Sequence, residues 1–178
     1  MVYLFLAEGF EEVEALTPLD YLRRAELSVQ SVGVTGKRVT GSHGIEVTAD
    51  ITADEVDFNK MEMIVLPGGM PGTLNLEKNL VVQQAVDLCA LNGKTIGAIC
   101  AAPSILGHKS LLRGKQAVCF PGFEQTLAGA TILREPVVCD GQYITARGAG
   151  AAQQFAFALI AQALGKEKAD LVAAAVQW

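Results

Sequence analysis

The stretch Thr95-Ile-Gly-Ala-Ile-Cys-Ala-Ala-Pro-Ser104 combines an apolar strand with the start of a helix. The residues before Cys100 suit a buried strand, and the alanines and proline after it suit a first helical turn. A residue at such a junction lies at the carboxyl end of a parallel strand, where ligands bind in open α/β sheets. A sharp turn there holds the thiol of Cys100 in a cleft, and the positive end of the helix favours its thiolate. The alternative is that Cys100 is a small buried side chain of the core.

Strands alternate with helices along the rest of the chain. Continuous apolar runs at 2–7 and 61–67 predict two more strands that are buried on both faces. Helical patterns occupy 11–25, 79–91, the segment that opens at 147–150 and runs to 164, and 167–176. This order predicts an α/β fold with a mainly parallel sheet covered by helices on both faces.

Shorter signals predict the connections between these elements. Pro18 lies inside the first helical pattern and predicts a kink or a break near Thr17. The polar segment 50–60 is typical of a short helical connection, and 123–129 of a short helix. Asp140-Gly141 is a hairpin turn signal between two short strands.

Composition excludes several classes of protein. The 178 residues fit a single domain over 1–178, and a net charge of -5 argues against nucleic acid or an anionic membrane as partner. The apolar start, Val2 to Ala7, is too short for a signal peptide or a membrane span. Four widely spaced cysteines without a CxxC pair indicate a reducing cytoplasm, and two distant histidines are too few for a histidine-built metal centre. We therefore expect a cytoplasmic protein without metal or cofactor.

Three segments converge on one end of the predicted sheet. The turn after the first strand leads to Glu14, the Gly68-Gly69 turn follows the strand at 61–67, and Cys100 follows the third. Glycine lets a ligand approach the backbone amides closely. A carboxyl group, a thiol and free amides are the groups needed to stabilise a thiolate and then an oxyanion.

Four motifs together identify a family resemblance. Glu11-Glu-Val-Glu14, Val65-Leu-Pro-Gly-Gly69, Ala98-Ile-Cys-Ala-Ala-Pro103 and Ile144-Thr-Ala-Arg-Gly-Ala-Gly150 resemble the DJ-1/ThiJ/PfpI superfamily, and within it the DJ-1/ThiJ-like branch. The resemblance runs along essentially the whole chain. It implies a flavodoxin-like three-layer α/β sandwich, like that of class I glutamine amidotransferases, and usually a homodimer.

The resemblance also implies roles for particular residues. Cys100 would be the low-pKa, oxidation-sensitive nucleophile, and Glu14 a protonated carboxyl that bonds the thiolate and acts as general acid and base. The oxyanion and the substrate would bind the amides of Gly69 and Ala101. Gly68, which precedes Gly69 in its turn, would belong to the same binding site.

The sequence departs from the family pattern near the cysteine. Phe120 stands where many relatives have a histidine, and Ala101 stands where the PfpI branch has one. The departure disfavours a peptidase or an amidotransferase. Two further residues are candidates for positions around the site. His43 is either a plain surface histidine or arrives from a dimer partner. Arg147 either makes a salt bridge across the dimer or lines the pocket. Cys89 and Cys139 are expected in the core.

Two functions remain open. The first is a cysteine-dependent, glutathione-independent glyoxalase or deglycase that acts on methylglyoxal-type dicarbonyls or their adducts. The second is an oxidative-stress sensor or redox-regulated chaperone that works through oxidation of Cys100. An amidase or peptidase ranks third. The expected partners are a small dicarbonyl or glycated substrate and a second copy of the chain.

Overall fold

A seven-stranded sheet runs through the centre of the computed structural model, which describes residues 1–178. The chain contains eleven strands: β1 Val2–Leu6, β2 Val29–Gly33, β3 Arg38–Thr40, β4 Glu46–Thr48, β5 Ile51–Thr52, β6 Met63–Leu66, β7 Thr95–Ile99, β8 Gln116–Ala117, β9 Thr131–Ile132, β10 Val137–Asp140 and β11 Tyr143–Ala146. It contains six α-helices: α1 Glu12–Arg24, α2 Gly72–Lys78, α3 Leu80–Leu91, α4 Pro103–His108, α5 Ala152–Leu164 and α6 Lys166–Ala175.

The strand order in the main sheet is β10-β11-β7-β6-β1-β2-β5. Every neighbouring pair is parallel except β10 and β11, which form the predicted hairpin around Asp140-Gly141. The mainly parallel sheet predicted from the alternation of elements is therefore confirmed. The small antiparallel pair β3–β4 and the parallel pair β8–β9 lie outside this sheet.

Each face of the sheet carries its own hydrophobic cluster. Alternate residues of β1 enter different clusters, because successive side chains of a strand point to opposite faces. Leu4 and Leu6 pack in a cluster of 24 buried residues with α1, α5 and α6. Tyr3 and Phe5 pack in a second cluster of 24 with α2, α3 and α4. Helices therefore cover both faces, as predicted.

Helix α1 is continuous, so the predicted break near Thr17 is wrong. Pro18 lies within the helix and is itself buried. The apolar face of α1 packs against the sheet through residues such as Leu19 and Leu22. The burial of this face offsets the loss of the hydrogen bond that proline cannot donate.

Other departures from the predicted elements occur in the connections. The 50–60 segment forms β5, where Ile51 pairs with Val32, and a single 3-10 turn at Ala53–Glu55 instead of a helix. Helix α2 was not predicted, because its glycine-rich start is typical of a loop. The 123–129 segment contains only a 3-10 turn at Glu124–Thr126. Cys139 is exposed on the edge strand β10 and is not a core residue, whereas Cys89 is buried as predicted.

The order of the central strands positions the site. Strands β1, β6 and β7 are neighbours and parallel, so their carboxyl ends meet at one edge of the sheet. The loop into α1, the turn after Leu66 and the turn at Cys100 leave from that edge. None of the helices combines the length and the apolar character required to cross a membrane.

Candidate active site

Cys100 occupies a sharp turn between β7 and α4. Its φ of 66° lies in the left-handed region, which non-glycine residues rarely adopt. Two backbone hydrogen bonds hold this conformation: the Cys100 amide donates to the Ala146 carbonyl at 2.8 Å, and the Cys100 carbonyl accepts from the Phe120 amide at 2.8 Å. The turn is the strand-to-helix elbow that the sequence predicted, and it leaves the thiol partly exposed.

Glu14 reaches the same point from the first turn of α1. Only 1% of its surface is exposed. Its Oε2 accepts a hydrogen bond from the Gly68 amide at 2.9 Å, and Cys100 lies against the same glycine. The structure therefore brings together the carboxyl group and the thiol that lie far apart in sequence.

The Gly68-Gly69 turn fits closely between these two side chains. A Cβ on Gly68 would lie 2.6 Å from both Cys100 Cβ and Glu14 Oε2. Gly69 has a φ of 88°, and a Cβ there would lie 2.4 Å from the Glu11 amide nitrogen. Because only glycine fits at both positions, the Gly69 amide can approach the sulfur. The Gly69 and Ala101 amides are the backbone donors that lie beside the Cys100 thiol.

Burial controls the ionisation of the pair. It raises the pKa of Glu14 to about 7, against hydrogen bonds from Cys100 and Gly68 that lower it. Burial, followed by the charge of Glu14 and the hydrogen bond to it, raises the pKa of Cys100 to about 12, while the amides of Gly69 and Ala101 lower it. The expected low-pKa thiol is therefore not found beside an ionised Glu14. The thiolate is favoured only when Glu14 holds the proton, because the carboxyl group then carries no opposing charge.

A small cavity opens over this pair. Its volume is about 300 Å³. The lining combines two carboxylic acids with mostly apolar residues and contains neither a cation nor a histidine: Glu11, Glu14, Gly69, Met70, Cys100, Ala101, Phe120, Phe123 and Ala149. Such a lining fits a small uncharged molecule and disfavours an anion.

The three remaining candidate residues, Phe120, His43 and Arg147, lie at different places in the structure. Phe120 lines the cavity over Cys100 and is 46% exposed. His43 does not line this cavity; its Nδ1 lies 2.9 Å from Glu12 Oε2 and 3.6 Å from Glu11 Oε2. Arg147 lines a different cavity and makes no salt bridge within the chain.

Glu12 has a contact that the sequence did not predict. Its Oε1 accepts from the His43 amide at 2.8 Å and the Ile45 amide at 3.4 Å, and its Oε2 bonds the His43 ring. Burial raises the pKa of Glu12, but these hydrogen bonds outweigh it and hold the pKa at about 2. No local signal in the sequence links Glu12 to a loop 31 residues away.

Glu11, Glu12 and His43 are also the one group with metal-ligand spacing. Their ligand atoms lie within 4.8 Å of one another. The Glu12 oxygens already accept hydrogen bonds from the loop, and His43 is bonded to Glu12. The contacts therefore describe an ion pair that fastens the loop to α1.

Comparison with known proteins identifies relatives of this chain. A family model described as the DJ-1/PfpI family matches residues 1–162. Protein DJ-1 homolog B of Arabidopsis thaliana is 36% identical over 171 residues, which cover 94% of this chain but only 39% of that protein. Deglycase PH1704 of Pyrococcus horikoshii is 31% identical over 153 residues, covering 83% of this chain and 90% of that protein.

The fold is shared with solved structures. The structure of oxidized Toxoplasma gondii DJ-1 superposes with a TM-score of 0.95 at 32% identity, covering 99% of this chain and 97% of that chain. The flavodoxin-like α/β fold implied by the resemblance is confirmed. The catalytic roles of Cys100, Glu14, Gly68, Gly69 and Ala101 stay predictions.

Proposed function

The chain belongs to the DJ-1/PfpI family, and from this premise we propose that it converts small dicarbonyls such as methylglyoxal into 2-hydroxy acids without glutathione. The observation that carries the proposal is the proximity of the Glu14 carboxyl group to Cys100, both of which lie against Gly68. This pair lies under a small, cation-free cavity. A nucleophile, a proton carrier and two oxyanion donors are thus within reach of one bound aldehyde.

The first step forms a carbon–sulfur bond. Cys100 Sγ attacks the aldehyde carbon while its proton passes to Glu14, and the carbonyl electron pair moves to oxygen. The amides of Gly69 and Ala101, which line the same cavity as Cys100, would stabilise that oxyanion. Glu14 then returns the proton to oxygen, which gives a neutral hemithioacetal and a carboxylate.

The second step moves hydrogen within the adduct. The Glu14 carboxylate removes the proton from the former aldehyde carbon and delivers it to the neighbouring carbonyl carbon through an enediol. The hydroxyl proton shifts between the two oxygens, so the adduct becomes the thioester of a 2-hydroxy acid with no change in its atoms. Water then attacks the thioester, the carbon–sulfur bond breaks and the thiol takes back a proton. The sum is dicarbonyl plus water giving hydroxy acid.

Lactate formation from methylglyoxal tests this proposal. We expect the purified protein to form lactate and Cys100→Ala to lose the activity. Cys139→Ala is the matched control, because Cys139 is an exposed cysteine away from the cavity. Wild-type activity no higher than that of Cys100→Ala would overturn the proposal.

The same pair suits adducts of dicarbonyls with thiols or amines. One relative is named a deglycase, and a hemithioacetal or aminocarbinol presents the same carbon to Cys100 once the leaving group departs. Release of free N-acetylcysteine from its methylglyoxal adduct, measured at a rate above spontaneous reversal, checks this extension. An amidase or peptidase is not proposed, because no histidine lines the cavity.

A redox function is the second candidate. It is favoured by the partly exposed Cys100 and by the relative whose structure was solved in oxidized form. The thiolate would attack one peroxide oxygen, forming an S–O bond as the O–O bond breaks, which gives sulfenic acid and releases water or hydroxide. A second equivalent of peroxide would oxidise the sulfenic acid to sulfinic acid. Mild peroxide followed by site mapping should find oxidation first at Cys100, with changed partner binding afterwards. Oxidation to the same extent at all four cysteines would contradict this candidate.

We also propose a cytoplasmic homodimer. Val13, Leu16 and Tyr21 of α1 line an open surface cavity with Ala149, which also lines the cavity over Cys100. Val13 is 49% exposed, so a second copy seated there would bury apolar surface near the site. Light scattering should give a dimer mass, and the substitution Val13→Glu should reduce that mass.

The proposed cytoplasmic location rests on the cysteines. All four are unpaired, which fits a reducing compartment.

A further inference from the structure

The structure contains a second cavity with a volume of about 570 Å³. Cys119 lines it, whereas the next residue, Phe120, lines the cavity over Cys100. The lining residues are Val118, Cys119, Pro121, Glu124, Ile132, Leu133, Arg134 and Arg147. Its volume is in the range of sites for small organic ligands, roughly 300–1,000 Å³.

Two arginines face this cavity without an ion pair. Neither Arg134 nor Arg147 has a carboxylate within salt-bridge distance, although acidic residues outnumber basic ones 19 to 14 in the chain. The one acid in the lining is Glu124, whose Oε2 accepts a hydrogen bond from the Gly122 amide at 2.8 Å. Two guanidinium groups against one carboxylate leave this cavity net positive, in a protein that is net negative.

Backbone hydrogen bonds fix the wall that carries the arginines. The Arg147 amide donates to the Pro136 carbonyl at 3.1 Å, and the Leu133 amide donates to the Ala117 carbonyl at 2.9 Å. The Val118 amide donates to the buried Thr145 hydroxyl at 3.0 Å. The three segments that contribute lining residues are thus tied to one another and to β11, so the cavity exists before any ligand binds.

We propose that this cavity binds a small organic oxyanion, a carboxylate or a phosphate monoester with a short aliphatic body. Guanidinium groups recognise carboxylate and phosphate through paired, charge-assisted hydrogen bonds. The side chains of Val118, Ile132 and Leu133 supply apolar contact for the body. The site is separate from the chemistry at Cys100, so it does not depend on the proposed glyoxalase activity.

Calorimetric titration of the full chain tests the site with three probes of four carbons each. Butanoate and butyl phosphate are the two oxyanions, and butylammonium is the cation control. We expect saturable binding of at least one oxyanion, and which of the two binds more tightly identifies the headgroup. Butylammonium should not bind.

Variants locate the binding. Arg134→Gln and Arg147→Gln should each weaken binding about tenfold or more, the effect of losing a charge-assisted hydrogen bond. Glu124→Gln should tighten it, because a repelling charge is removed. Arg113→Gln is the matched control: Arg113 is also exposed and unpaired but does not line the cavity. Cys100→Ala should bind as wild type does.

Four results would overturn the proposal. They are no saturable binding of either oxyanion, equal binding of butylammonium, unchanged affinity in both arginine variants, and an equal loss in Arg113→Gln. The last would mean that overall charge, and not this cavity, attracts the anion. Circular dichroism of each variant confirms that the fold is retained.

Discussion

Glu12 and Glu14 lie two residues apart in the first turn of α1, and both are buried, with 5% and 1% of their surfaces exposed. Their surroundings differ. The Glu12 carboxylate accepts hydrogen bonds from the amides of His43 and Ile45 and from the His43 ring. The Glu14 carboxyl group has one amide donor, Gly68, and otherwise contacts a thiol.

The two pKa values move in opposite directions. Burial is the largest influence on both and raises both. At Glu12 the donors outweigh it and the pKa is about 2, whereas at Glu14 they do not and the pKa is about 7. The larger number of donors at Glu12 and the deeper burial of Glu14 together therefore decide which carboxyl group is a fixed anion and which exchanges protons near neutral pH. Glu12 fastens a loop, and Glu14 is suited to acid–base chemistry.

The largest expected effect separates the two glutamates in catalysis. Glu14→Gln keeps the shape of the side chain but removes its ability to accept a proton, so lactate formation from methylglyoxal should fall by about 10²–10⁴-fold. Glu12→Gln is the same substitution two residues away and should leave the rate within a few-fold of wild type. Initial rates at pH 7.5 with equal amounts of folded protein make the measurement.

Equal losses in both variants would contradict the division of roles. Equal activity in wild type and Glu14→Gln would remove Glu14 from the mechanism altogether. The fold of each variant is checked by circular dichroism before the rates are compared.

The next effect is on stability against pH. The folded pKa of Glu14 is raised from 4.5 to about 7, so the folded protein binds this proton more tightly than the unfolded chain does. The resulting stabilisation is complete below pH 4.5 and is lost as the pH rises through about 7. The shift corresponds to about 3 kcal/mol. The free energy of unfolding in urea should therefore fall by this amount between pH 4 and pH 8 in the wild type, relative to Glu14→Gln.

A free-energy difference between the two proteins that stays flat over this range would show that Glu14 is ionised normally in the fold. Glu12→Gln provides the control, since its own titration lies below pH 4.5. It should keep the wild-type slope between pH 5 and pH 6, below the range in which the Glu12-bonded His43 titrates.

A smaller effect is expected from Glu12 itself. Its folded pKa is lowered to about 2, so its stabilisation is present above pH 4.5 and is lost as the pH falls towards about 2. Glu12→Gln replaces a charged acceptor by a neutral amide in a site built of donors, and should cost about 2 kcal/mol at pH 7. Urea unfolding at pH 7 measures this, and a variant as stable as wild type would mean that the loop does not depend on the charge.

Sequence patterns predicted what depends on periodicity and on strand ends. The apolar strands ending at Leu6, Leu66 and Ile99 imply a parallel sheet, and parallel strands bring their carboxyl ends together. Glu14, Gly69 and Cys100 therefore meet because of topology. The family resemblance then named the same residues.

Sequence patterns did not predict the features that depend on tertiary contacts. The continuity of α1 through Pro18 depends on packing against the sheet, and β5 depends on pairing with Val32. The contact between Glu12 and His43 joins two segments with no shared motif. The protonation of Cys100 depends on whether its neighbour is charged, and a sequence does not specify that state.

The smallest effect tests His43, the partner of Glu12. Hydrogen bonding to Glu12 and the charges of Glu11 and Glu12 raise the pKa of His43 above 6.5. Its contribution to stability is therefore complete below pH 6.5 and is lost as the pH rises through the raised value. His43→Gln should destabilise the protein less than Glu12→Gln at pH 6, because the Ile45 amide and the amide of residue 43 still bond the carboxylate. The deficit should shrink at pH 9 in urea unfolding, where the wild-type histidine is neutral. A deficit independent of pH would mean that the ring acts through packing, and that the fixed charge of Glu12 is held by backbone amides alone.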